Sequence, residues 1–234
     1  MPDYQAGEVI LIDKPLGWTS FDIVNKVRWR IKHTLKLKKI KVGQAGTLDP
    51  LASGLLILCT GKFTKNIEEY QAQEKEYLAT FRLGATTPCF DLEKEIDRIF
   101  PTEHITKELI YQAVETFKGT IQQTPPIFSA VKIAGTRAYD SARANKEVII
   151  EPRTIHIAEF EITNINFPDV EARIVCSKGT YIRAIARDLG EKLNSGAHLV
   201  ALRRTRIGNF SVENALNIET LLENISNLEV STAI

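Results

Sequence analysis

The chain mixes unbroken apolar runs, two-residue alternations and helical stripes, and each pattern predicts a different element. Within Gly7–Ile12, Val9, Ile10, Leu11 and Ile12 stand in succession, as in a strand buried on both faces. Phe21, Val24, Val27 and Ile31 recur at helical spacing behind Thr19 and Ser20, either of which can cap the helix. Leu55–Thr60 is a second apolar run and predicts another buried strand, after which Thr64 is placed to cap a short helix through Gln71. From Lys75 to Leu83 the pattern alternates: Tyr77, Ala79, Phe81 and Leu83 on one side, Glu76, Leu78, Thr80 and Arg82 on the other. That is a strand. Gly84 to Glu93 reads as a hairpin tip carrying Asp91. Thr106 opens an amphipathic helix that runs to Lys118 and stops at Gly119. Arg153–Ile165 and Val170–Cys176 read as paired strands. Ile182, Ile185, Ala186, Leu189 and Leu193 form a helical stripe, Leu199–Phe210 a strand, and Ile218–Ile225 a closing helix.

Between a basic segment and the second apolar run lies Gly43-Gln44-Ala45-Gly46-Thr47-Leu48-Asp49-Pro50-Leu51-Ala52. Small residues let the backbone turn tightly and let another molecule come close. Pro50 pushes Asp49 away from helical geometry, so the carboxylate sits on a shaped loop. A turn with an Asx cap gives the same composition, so spacing alone leaves both readings open.

The whole string, with Ser53 and Gly54 after it, resembles the catalytic loop of the TruB-type tRNA pseudouridine synthases, whose pattern is close to G-H-A-G-T-L-D-P-L-A-x-G. One position departs: Gln44 stands where the family often has His. Four further strings follow in the family's order. They are D-K-P-x-G-x-T-S at Asp13–Ser20, K-E-Y-x-A around Tyr77, C-S-K-G-T-Y-I-R at Cys176–Arg183, and L-V-A-L-R-R-T-R at 199–206. The likeness covers about residues 7 to 210. It implies one α+β pseudouridine-synthase domain over residues 1–234, with a mixed, mostly antiparallel sheet flanked by helices around a central RNA-binding cleft. It also implies a mobile RNA-clamping segment around 123–150; the chain is too short after residue 210 for the PUA domain of many relatives.

The implied reaction turns uridine into pseudouridine in the T-loop of tRNA, at uridine-55. Asp49 would be the catalytic aspartate, as nucleophile or as base. Tyr77, Tyr181, Arg183 and Leu202 would bind the substrate uridine. Arg183 also stands out on physical grounds. A cation in the first turn of a helix opposes the dipole, so it needs a carboxylate partner, which in the family is the catalytic Asp. A flipped base needs aromatic and apolar walls, and basic residues outside to grip phosphates. The isomerisation needs no cofactor and no metal, and no metal-ligand or phosphate-loop motif is visible.

Composition narrows the partners. The 234 residues are 44% hydrophobic and 25% charged, with a net charge of +1. RNA affinity must therefore come from local patches. The densest is Lys26–Lys41, whose cations have no acid among them and which leads into the Asp49 loop; Lys36, Lys38 and Lys39 are its candidates for RNA contact. Lys14, Lys132 and Arg137 are further candidates for RNA contact. Three cysteines without a C-x-x-C pair point to free thiols in a reducing cytoplasm. No signal peptide or membrane-length apolar run is visible, and no protein partner is implied. Two other classes fit fewer residues. One is a non-catalytic RNA-binding or chaperone module of the same fold. The other is a glycoside-processing enzyme pairing Asp49 with Asp91, which needs the two carboxylates a few ångströms apart.

Overall fold

The computed structural model describes residues 2–127, 132–133, 136–137 and 150–231. The chain opens with strand β1 (Val9–Lys14), helix α1 (Ser20–Thr34), β2 (Val42–Ala45) and β3 (Ala52–Thr60). A 3-10 turn (Gly61–Asn66) leads to α2 (Ile67–Ala72), β4 (Lys75–Leu83), β5 (Ala85–Thr86) and β6 (Arg98–Ile99). Next come α3 (Lys107–Glu115), β7 (Gly119–Gln123), β8 (Lys132–Ile133) and β9 (Thr136–Arg137). The rest comprises β10 (Arg153–Asn166), β11 (Asp169–Cys176), α4 (Ile182–Lys192), β12 (Ala197–Ile207), β13 (Phe210–Ser211) and α5 (Ile218–Ser231). The fold is α+β, with a mostly antiparallel sheet and flanking helices, as the sequence predicts. It divides into two compact units, Met1–Tyr77 with Arg203–Ile234, and Leu78–Leu202.

In the first unit β3 is the central strand. β1 pairs antiparallel along one side of it, from Val9↔Cys59 to Lys14↔Gly54. β2 pairs along its other side, from Val42↔Thr60 to Ala45↔Ile57. Both faces of β3 are covered, which explains its apolar run from Leu55 to Cys59. Leu56 and Leu58 pack with Ile10 and Ile12, with Ile23, Val27 and Ile31 of α1, and with Leu221 and Ile225 of α5. Leu55, Ile57 and Cys59 pack on the opposite face with Ala45 and Ile207. Thr19 caps α1 in a capping box with Asp22, each side chain bonded to the other's backbone N–H.

In the second unit the strand order is β4-β11-β10-β7. β10 pairs with β11 from Ile157↔Cys176 to Asn166↔Asp169, and with β7 from Arg153↔Gln123 to Ile157↔Gly119. Arg82 of β4 makes a two-pronged bond to Asp169 of β11 at 2.7 and 2.8 Å. Phe160 lies between Phe81 and Phe117, with ring centroids 6.2 and 5.8 Å away. In the expected clamping segment, Lys132 and Arg137 are Cα partners across β8 and β9. Residues 128–131, 134–135 and 138–149 of that segment lie outside the described residues.

Some boundaries differ from the sequence reading. Thr64 does not cap a helix: its hydroxyl donates back to the Gly61 carbonyl at 2.8 Å, and the stretch winds into a tight 3-10 turn first. β2 was not predicted, because Gly43 and Gln44 carry no apolar alternation; it forms on the ladder that β3 offers. α5 continues to Ser231, six residues past the predicted Ile225.

Candidate active site

Asp49 lies on the loop between β2 and β3, half-buried, and the first unit braces that loop from several sides. Ser20, the first residue of α1 and 1% exposed, donates its hydroxyl to the Leu48 carbonyl at 2.9 Å and accepts from the Leu48 N–H at 2.8 Å. A buried backbone pair is thus satisfied by one side chain. Arg204, 2% exposed on β12, donates to the Gly46 carbonyl at 3.1 Å and to the Leu55 carbonyl at 2.8 Å, one on each side of Asp49 in sequence. The turn closes through Ala52 N–H on the Asp49 carbonyl at 3.0 Å, and Gly17 N–H binds the Pro50 carbonyl at 2.8 Å.

The glycine that ends the string follows from this packing. Gly54 has φ +101°, and a Cβ there would lie 2.2 Å from the Arg204 carbonyl oxygen. Only glycine lets β3 and β12 approach so closely. Gln44, at the departing position, donates to the Thr47 hydroxyl at 3.0 Å, while its side-chain carbonyl oxygen is buried with no hydrogen-bond partner among the described residues.

Lys14 departs from its expected role. It is fully buried, and its ammonium donates to the carbonyls of Pro15 at 2.9 Å and Trp18 at 2.6 Å. Burial pulls its pKa down to about 8, against an opposing pull from the charge of Asp49. A lysine so placed braces the turn and lies in the field of Asp49; it has no exposed charge to offer a phosphate. Lys36, Lys38 and Lys39 are exposed, as a phosphate-contacting patch requires. Tyr77 sits on the buried side of β4, 9% exposed, and Leu202 is half-buried on β12.

In the second unit, Tyr181 is the residue before α4 and gives no side-chain cap. The Gln123 side chain holds its backbone instead, accepting from Tyr181 N–H at 2.8 Å and donating to its carbonyl at 3.1 Å. Arg183 follows in the first turn, 6% exposed. A carboxylate other than the Asp49 that the resemblance implies lies beside it within this unit: Asp91 Oδ2 is 3.5 Å from Arg183 Nη1, which also reaches the Cys89 carbonyl at 3.3 Å. Asp91 additionally accepts from Glu93 N–H at 2.9 Å. It is thereby committed to placing Arg183, which removes the support for its use as a glycosidase acid. Cys89, Asp91 and Glu93 bring three donor atoms within 4.8 Å of one another. The group suits a cation poorly. Arg183 already supplies the positive charge, and burial pushes the Cys89 thiol pKa up, away from the thiolate that binds metal.

Comparison with known proteins decides what such a loop belongs to. A family described as TruB family pseudouridylate synthase (N terminal domain) matches residues 32–182, and one described as tRNA pseudouridylate synthase B C-terminal domain matches 183–231. The chain belongs to the TruB family of pseudouridylate synthases. It is similar to the tRNA pseudouridine synthase B of Phocaeicola vulgatus, 56% identical over 232 residues and 99% of both chains. It is also similar to that of Flavobacterium johnsoniae, 57% identical over 222 residues, 94% of this chain and 96% of the relative. Among solved structures, a Cbf5-Nop10-Gar1 complex matches with a TM-score of 0.70 at 32% identity over 94% of this chain. An H/ACA RNP bound to a substrate RNA containing 2'-deoxyuridine matches with a TM-score of 0.67 at 29% identity. This TruB-family chain spans about half of those solved chains, 54% and 53%. No described helix is long and apolar enough to cross a membrane.

The TruB-family strings pointed at Asp49, but not at what holds it. Arg204 and Gln123 were missed as braces, because a buried arginine or glutamine that bonds only backbone carries no spacing signal. Ser20 was visible only as a cap candidate; in the structure Thr19 takes the cap and frees Ser20 for Leu48. The nearest available hint was the pair of polar side chains, Thr19 and Ser20, where one cap is enough.

Proposed function

We propose that the chain isomerises uridine to pseudouridine in tRNA, at uridine-55 of the T-loop, with Asp49 as the catalytic carboxylate. The observation that carries this reading is the Asp49 loop itself: a carboxylate on a small-residue turn whose neighbours are pinned by the buried side chains of Ser20 and Arg204. Pinning of this kind preorganises a reacting group. The C1'–N1 bond of the uridine breaks, the uracil turns, and C5 bonds to C1' while its hydrogen leaves as a proton and N1 gains one. Asp49 acts as nucleophile or as base in this sequence. Arg183 is the cation that keeps Asp49 ionised, Tyr77, Tyr181 and Leu202 wall the uracil, and Lys36, Lys38, Lys39, Lys132 and Arg137 contact the RNA backbone. The names of the relatives support tRNA as substrate.

Release of tritium from tRNA labelled at uracil C5 tests this reading. The wild-type protein should release one tritium per tRNA with no added cofactor, and Asp49→Asn should release none while still binding tRNA. An Asn variant that turns over like wild type removes Asp49 from the chemistry. Tight binding without release by the wild-type protein gives a non-catalytic RNA-binding module instead.

A further inference from the structure

Beside the Lys36, Lys38 and Lys39 patch proposed to contact the RNA backbone, helix α1 of the first unit carries an aromatic platform that the proposed reaction does not use. Trp29, on α1, is 56% exposed and stacks on His33 one turn later, with ring centroids 4.1 Å apart and planes 27° from parallel. His33 is fixed there by a 2.8 Å bond between its Nδ1 and the Trp29 carbonyl. The Arg30 guanidinium lies 5.8 Å from the same indole. After α1 the chain doubles back. Lys36 takes φ 51°, Lys36 N–H binds the His33 carbonyl at 3.2 Å, and Leu37 N–H binds the Lys32 carbonyl at 2.9 Å. This is a Schellman closure with a lysine where glycine is usual. It returns Lys38, Lys39 and Ile40 alongside α1 and makes a groove of about 460 Å³ with Arg28, Trp29, Lys32 and His33. That is within the about 300–1,000 Å³ of small-ligand sites. No carboxylate lines it, and among the described residues Arg28, Lys32, Lys38 and Lys39 form no ion pair. Arg28 is oriented by a hydrogen bond to Asn25.

We propose that this groove binds an unpaired nucleotide of RNA, its base stacked on the Trp29–His33 pair and its phosphates held by Arg28, Lys32, Lys38 and Lys39. Two features select that occupant. An exposed tryptophan already stacked on one ring offers an aromatic platform that accepts any base. Four unpaired cations around it demand an anion spread over several positions, as a polynucleotide backbone is. A duplex cannot reach the indole, because its bases are stacked inside. The proposal rests on the reading of the chain as an RNA-modifying enzyme, and it adds a contact for a nucleotide other than the one isomerised.

The test uses the protein's own fluorescence. The chain has two tryptophans, so Trp18→Phe leaves Trp29 as the sole reporter. Titration with single-stranded hexauridylate should quench Trp29 saturably, and a fully paired RNA duplex without a loop, at the same phosphate concentration, should not. Trp29→Leu should weaken hexauridylate binding about 5- to 150-fold, from the usual worth of one base–aromatic stack, and Trp29→Phe should restore most of it. Arg28→Gln and Lys32→Gln should each flatten the log–log salt dependence by about 0.7. Absence of quenching at saturating RNA, equal quenching by the duplex, or affinity of Trp29→Leu within twofold of its parent each overturns the proposal. The quenching arm keeps the native Trp29 and so does not depend on how the Leu variant folds. Tritium release from tRNA by the wild-type protein is measured in parallel: release without quenching rejects the groove alone, and quenching without release rejects the enzyme reading alone.

Discussion

Replacing Ser20 by Ala should cost both stability and turnover, because one hydroxyl serves two buried backbone groups of Leu48. The hydroxyl makes bonds of 2.8 and 2.9 Å, Ser20 is 1% exposed and Leu48 is 4% exposed. No water replaces a partner at that depth without opening the packing between α1 and the loop. A buried donor or acceptor left unpaired costs about 1–3 kcal/mol. Two such groups, with partial relaxation, give about 2–4 kcal/mol. For a chain of this size each kcal/mol moves the thermal midpoint by about 2–4 °C, so the fall should be roughly 4–16 °C. The variant's cheapest relief is to swing Leu48 outward, which carries Asp49 with it. A displacement of about 1 Å at a reacting group is worth about a hundredfold in rate. Single-turnover tritium release at saturating tRNA should therefore drop by one to two orders of magnitude, and a thermal melt of the same sample reads the stability. A Ser20→Ala protein that melts within 1–2 °C of wild type and turns over normally would refute the claim that this clamp shapes the loop.

Three further outcomes follow from other contacts. Gly54→Ala should destabilise the first unit by more than about 3 kcal/mol, since the new Cβ meets the Arg204 carbonyl at 2.2 Å in a backbone that also has φ +101°; urea unfolding measures it. Lys14 has its pKa lowered from 10.5 to about 8, so between those values the unfolded chain holds a proton that the folded chain lacks. Its contribution to stability therefore rises with pH across that window, by about 3 kcal/mol at most, and the wild-type minus Lys14→Met difference in unfolding free energy should climb from pH 8 to 10.5. Lys36→Gly should raise stability by up to about 1 kcal/mol, because the left-handed φ of 51° suits glycine; a lower melting midpoint would show that the Lys36 side chain contributes more than its backbone costs.

Much of the architecture was legible in the sequence, for reasons that differ by element. β4 was read with its observed bounds because its alternation is strict and one face is buried throughout. β3 was read because a strand covered on both faces has no room for polar residues. The short strands β2, β5 and β6 were illegible: two to four residues that pair by backbone alone leave no side-chain period. At the candidate site, Asp49 stood out through a ten-residue string, and Arg183 through a charge set against its helix dipole. The burial of Lys14, a candidate for RNA contact by sequence, is not legible there, because a buried lysine bonded to two carbonyls looks in sequence like any other lysine in a turn. Asp91 stands out in sequence only as a second carboxylate on a hairpin tip, because its ion pair with Arg183 joins residues more than ninety positions apart.

The first unit is discontinuous along the chain, and this sets an order of events during synthesis. Asp49, Ser20 and the strand that leads away from the loop are all made early, but Arg204, which ties down Gly46 and Leu55, is made about 150 residues later. At about 5–20 residues per second that interval lasts roughly eight to thirty seconds. Throughout it α1 and β3 wait without Ile218, Leu221 and Ile225 of α5 to cover them, so apolar surface stays open to chaperones. The second unit, by contrast, is one unbroken segment and can fold while the first is still incomplete. A nascent chain released before Arg204 would carry the Asp49 string in full but lack the two bonds that Arg204 makes to its loop.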